Sequence, residues 1–336
     1  MSATRPWLWS RWADATARRE PANAVAVVRI VIGLSIVAHL LRLLWTETWR
    51  WVWLPPVHGG LVPLNSGPLD WVGGATPPLV LGVIVATLVS SAALAIGVLT
   101  PGAAVVTALG WAVLVGLGPN AGGSYDFLGA NILFLLIFAG SGRAWSLDAW
   151  WRARRGPAPL DAPVWPRWLM VWQLVVMYDT TAWQKVSSSW VLGGPADALW
   201  YILQQPTWHR FEMAWLAPLY PLTQVMTVST WLWEHASPII LIAAWFRATR
   251  GRAGWFRAQC NRVDARLPYL AFGVLMHLSI EATLDVGCFS SFTFALYAAC
   301  FSGDEWSNIS RARRTKGPPH VKPATVTAPT LQSRVR

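Results

Sequence analysis

Ionisable side chains that lipid would reject stand inside apolar runs of this chain. They are Arg29 and His39, Asp126, then Tyr178, Asp179 and Lys185, then Glu234 and His235, and finally His277, Glu281 and Asp285. Charged groups at membrane depth are costly, so they face a bundle interior and mark function. His277, Glu281 and Asp285 fall at i, i+4 and i+8 and share a helix face, as do Tyr178 and Lys185 at i and i+7. Together they imply a polar cavity inside a helical bundle, lined by Arg29, Asp126, Tyr178, Glu234, His277 and Glu281, with Lys185 at its mouth. A desolvated lysine gives up its charge readily and is a candidate base, and buried carboxylates can relay protons. The plainer alternative is that Arg29, Glu234 and His277 tie helices together by buried polar contacts, while Lys185 snorkels to the interface.

The elements that must hold these groups follow from composition. Of 336 residues, 54% are hydrophobic and only 13% charged, and the mean hydropathy is +0.38. That leaves too little polar surface to coat a water-exposed globule, where about a quarter of residues are charged. The 25 tryptophans suit bilayer interfaces. We expect an all-α, polytopic transmembrane bundle of about eight spans, at 22–45, 78–99, 102–117, 125–138, 168–183, 223–246, 269–285 and 288–301. Residues 1–21 form a cytoplasmic arm, 22–302 the transmembrane domain, and 303–336 a disordered basic tail.

Basic residues set the orientation. Most of the 27 lysines and arginines lie in four groups: the arm, the segment between spans four and five, the segment between spans six and seven, and the tail. With eight spans all four fall on one face, which the positive-inside rule makes cytoplasmic. Both termini are then inside the cell, the protein is a multi-pass protein of the plasma membrane, and the bilayer is its first partner. In that setting the net charge of +11 serves orientation, and no nucleic acid is expected. Two long outer segments, 46–77 and 184–222, are rich in Trp, Pro and Gly and should cap the bundle. Cys260, Cys288 and Cys300 form no CxxC or His/Cys cluster, so neither a metal site nor a disulfide framework is expected. Phosphate-loop, dinucleotide, zinc-protease and hydrolase-elbow motifs are absent from the sequence.

Four stretches in order resemble a known family. Val28-Arg29-Ile30-Val31-Ile32-Gly33 is similar to its Arg-x-x-x-Gly. Ser124-Tyr125, followed by Trp145-Ser146-Leu147-Asp148, matches the fourth span and the turn after it. Gln173, Tyr178, Lys185, Trp190 and Gly193 keep the spacing of its most specific stretch, and His277 stands ten residues before Gly287-Cys288-Phe289-Ser290. From about residue 22 to 301 the chain resembles the horizontally transferred transmembrane domain, shared with the membrane core of vitamin K-dependent gamma-carboxylase. The resemblance implies that Lys185 stands where that carboxylase has its proposed base for a quinol, with a quinone-like lipophile as the ligand. The departures are as specific. Gln184 stands where the carboxylase has a second lysine, Gly123 where it has an active-site histidine, and the large substrate-gripping domain has no counterpart here.

Three functions remain open. The first is an accessory protein that binds a small lipophilic ligand or assists maturation of a secreted peptide, without carboxylase chemistry. The second is a quinone-linked or lipid-modifying enzyme using Lys185 as base. The third is a proton- or cation-coupled transporter. Enzymatic activity belongs to the second of these alternatives alone, and no cofactor is assigned beyond the quinone-like lipophile.

Overall fold

A computed structural model describes residues 13–14, 16–63, 67–118, 122–157 and 159–315. The chain is mostly helical. Helix α1 (Asn23–Trp45) is followed by the short α2 (Thr48–Trp53), then by α3 (Pro77–Ile96), α4 (Thr100–Leu117) and α5 (Ser124–Phe138). The short α6 (Leu147–Arg154) leads to α7 (Trp165–Gln184), and α8 (Ala198–Gln204) crosses to α9 (Tyr220–His235) and α10 (Ile239–Ala248). Last come α11 (Trp255–Arg262), α12 (Arg266–Thr283), α13 (Phe289–Ala299) and α14 (Gly303–Thr315). Helices α1, α3 and α4 are each long and apolar enough to cross a membrane.

Local chemistry explains the boundaries. Prolines open α3 and α4 in the first turn, where the missing N–H is not needed. Gly97, at φ 75°, ends α3 in the left-handed conformation. Asp126 accepts the Gly123 N–H at 2.7 Å at the start of α5, and Ser146 accepts the Ala149 N–H at 2.9 Å to cap α6.

Three features depart from expectation. The chain is not wholly helical: β1 (Arg19–Pro21) pairs antiparallel with β2 (Asp161–Pro163). The stretch 223–246 is two helices rather than one, because Pro238 offers no N–H to continue α9. The region 303–315, expected to be part of a disordered tail, is the helix α14. Residues 316–336, and Arg5 and Arg11 of the arm, lie outside the described residues.

Helix α1 is the axis of the packing. Val28, Ile32, Ile36 and Leu40 are fully buried, one turn apart on the face that meets α3 and α13. Gly33 permits the close approach: a Cβ there would lie 2.8 Å from the Ser91 carbonyl and the Ala95 nitrogen of α3.

Side-chain contacts define two ends. At one, Arg42 of α1 meets Asp285 at 2.8 Å, and the Arg210 N–H donates to the Thr283 carbonyl at 2.9 Å. At the other, Arg167 of α7 and Arg266 of α12 donate to the Ala299 and Cys300 carbonyls, at 3.0 and 2.8 Å. Those two guanidinium groups satisfy the C-terminus of α13, whose last carbonyls have no helical partner.

Candidate functional site

An assembly of polar groups within apolar walls lies at the Arg42 end. A cavity of about 470 Å³ opens between α1, α4, α5 and the 285–289 turn, roofed by α2 and by Trp208. Leu43, Val52, Trp53, Trp111, Leu114 and Phe289 give it apolar walls, and His39, Arg42, Tyr125, Asp126 and Asp285 bring polar groups. A second hollow of about 520 Å³ adjoins it, sharing His39, Arg42, Asp285 and Gly287 and adding Arg210 and Glu281.

The two arginines here are each paired with a carboxylate. Arg42 holds Asp285, and Arg210 holds Glu281 at 2.9 Å. Asp126 is occupied at the α5 cap, and its carbonyl accepts the Trp111 indole N–H at 3.2 Å. His39 packs edge-on to Trp111, with ring centroids 6.1 Å apart. The side chains of His39 and Tyr125 make no hydrogen bond among the described residues. The arrangement offers His39 and Tyr125 as hydrogen-bonding groups beside an apolar body site, with both nearby arginines already paired. Two distant motifs meet at its wall: Gly287, at φ 60°, lies where a Cβ would be 2.6 Å from the Tyr125 hydroxyl.

Lys185 lies elsewhere. It ends α7 and forms an ion pair with Glu234 near the end of α9, its ammonium 2.5 Å from Oε1 and also against Oε2. The same ammonium sits over the Trp190 ring, 4.5 Å from its centroid. Next to Glu234 in the chain, Trp233 packs on Tyr178 at 4.6 Å. The Tyr178 hydroxyl then bridges His277 Nε2 at 2.9 Å and the Tyr297 hydroxyl at 2.7 Å. Tyr178 and His277 are buried, and His277 Nδ1 has no partner among the described residues.

The expected single pocket is therefore divided. Asp126 lines the cavity and Glu281 the hollow beside it, while Tyr178, Glu234 and His277 form a packed polar core with Lys185 at its edge. Arg29 joins neither: it is fully buried at the opposite end, where its Nη2 donates to the Trp145 carbonyl at 2.6 Å. There Asp148 accepts from the Leu99 and Thr100 N–H groups and the Thr100 hydroxyl, at 3.0, 2.8 and 2.7 Å. Burial alone would raise the Asp148 carboxyl, but these bonds and nearby Arg152 outweigh it and hold it below the usual range. The Trp-Ser-Leu-Asp stretch thus staples α1, α3 and α4. Arg42, Trp111 and Trp208 were not singled out from sequence as site residues, and Tyr125 only as part of the Ser124-Tyr125 match. His39, Asp126 and Asp285, polar within apolar runs, carried the signal for this cavity, and Glu281 for the hollow beside it.

Comparison with known proteins adds one finding. The family model of the HTTM domain matches residues 17–306. No curated protein and no solved structure matches the chain.

Proposed function

Because the chain belongs to the HTTM domain family, we propose that it is a multi-pass protein of the plasma membrane that holds a small lipophilic molecule as an accessory protein, without turning it over. In this reading the chain crosses the bilayer eight times, the sixth crossing broken at Pro238, with both termini cytoplasmic. The Arg42 end then faces outward, and the segments over it close the cavity from outside.

The observation that carries the proposal is the cavity itself. About 470 Å³ falls in the range of small-molecule sites, roughly 300–1,000 Å³, and is too small for a folded peptide. Its walls would take an aliphatic or aromatic body, and His39 and Tyr125 would meet a hydroxyl or carbonyl head. With Arg42 and Arg210 each bound to a carboxylate, an uncharged head is favoured over a fatty acid. A quinone-like lipophile has this chemistry. Assistance to a secreted peptide would follow from such a ligand and not from a peptide groove.

Lys185 supports the non-enzymatic side of the reading. A base must aim its nitrogen at a substrate, and here that nitrogen faces both Glu234 oxygens and the Trp190 ring. The test is calorimetric titration of the purified protein with a naphthoquinone. Binding should be saturable, lost on filling the cavity by Leu114→Trp, weakened by His39→Leu and retained in Lys185→Met. Turnover of the quinol that disappears with Lys185→Met would overturn the proposal in favour of an enzyme.

A further inference from the structure

The face carrying α6 has charge that no ion pair among the described residues cancels. Arg143, Arg152, Arg154 and Arg155 surround this eight-residue helix, and none forms an ion pair among the described residues. The nearby carboxylate, Asp148, already accepts three hydrogen bonds from the α3–α4 turn. Arg143 donates to the Asp161 carbonyl at 2.9 Å and Arg152 to the Gly142 carbonyl, so backbone contacts set their positions without cancelling their charge. Arg154 and Arg155 are exposed.

Beside them stand Trp145, Trp150 and Trp151, each 43–48% exposed, with Leu147 at 39%. Indole rings beside guanidinium groups fit the boundary between acyl chains and headgroups, where each side chain keeps one part apolar and one part wet. The Arg154 guanidinium lies 3.7 Å from the Trp150 ring centroid, which holds it flat against the helix. Asp148, Trp151, Arg152, Arg154 and Arg155 enclose a hollow of about 520 Å³.

We propose that α6 and its arginines form a headgroup site for an anionic phospholipid. A phosphodiester offers paired acceptor oxygens that a guanidinium fork meets at two points, and the tryptophans would lie along the acyl chains. The site is remote from the cavity at the Arg42 end and does not depend on what that cavity binds.

Native mass spectrometry of the full-length protein tests this, with equal amounts of phosphatidylglycerol and phosphatidylcholine in neutral detergent. Phosphatidylglycerol should be retained preferentially. Arg155→Gln, an exposed change without a broken contact, should cut the preference by about fivefold, and Arg154→Gln added to it by about fivefold again. Arg50→Gln, at the other end of the bundle, should leave it unchanged. Equal retention of the two lipids, or a preference that survives the double substitution, would overturn the proposal. So would displacement of the lipid by millimolar inorganic phosphate, which would mark a free-anion site.

Discussion

At the residue scale, the ion pair between Lys185 and Glu234 bears most directly on what this protein does. Both side chains are largely withdrawn from solvent, at 15% and 8% exposure. Removing one partner of such a pair strands the other charge, at a cost of about 3–5 kcal/mol, whereas replacing both with apolar groups is often close to neutral. Lys185→Met should therefore lower thermal stability markedly, and Lys185→Met with Glu234→Leu should recover most of it, as read by thermal unfolding in detergent. A double variant as unstable as the single would show that Lys185 does something other than balance Glu234. These two residues stood out in the sequence because each interrupts an apolar run. Their pairing did not, because it depends on α9 ending beside the last turn of α7. The Arg42–Asp285 pair was harder still: its partners are 243 positions apart, and no local pattern joins them.

Elements show which short motifs are architectural. Arg29 and Gly33 are spaced so that one anchors the Trp145 turn while the other brings α1 against α3. Gly33→Ala forces a methyl against the α3 backbone, and overpacking of this kind costs about 1–3 kcal/mol; chemical denaturation should show a loss in that range. The docking of α14 gives a pH-dependent outcome. Arg266 donates to Glu305 at 2.6 Å and Arg247 at 3.0 Å, and the Ser302 N–H at 2.8 Å. Burial alone would raise the Glu305 carboxyl, but these bonds and the charge of Arg266 outweigh it and bring it from the usual 4.5 down to about 2. A carboxyl lowered by folding contributes stability that is present above its unfolded value and is lost as pH falls through its folded one. Hydrogen exchange in residues 303–309, taken relative to the intrinsic amide rate at each pH, should thus stay slow at neutral pH and quicken between pH 4.5 and pH 2. Glu305→Gln should quicken it at neutral pH and flatten the dependence. Composition concealed this helix, since its charged residues look solvated until Arg247 and Arg266 are placed beside Glu305.

For the whole molecule, hydropathy was enough to expect a helical membrane protein and to locate its long apolar helices, because apolar runs and helix-ending Gly and Pro are local signals; the short α2, α6, α8 and α11 and the polar α14 lack such long runs. The cavity was not local. Its walls come from α1, α4 and α5, its floor from the turn before α13, and its roof from α2 and Trp208, six pieces that only the tertiary fold assembles. The polar residues counted on to share one pocket are distributed between that cavity, a packed core and the opposite end. The most direct test of the proposed ligand site is photolabelling of the purified protein with a photoreactive naphthoquinone, followed by peptide mapping. The label should fall on residues 48–53, 111–118 and 124–126 and be competed away by unlabelled naphthoquinone. Competed labelling centred on Lys185 and Trp190, with the cavity walls unmodified, would contradict it.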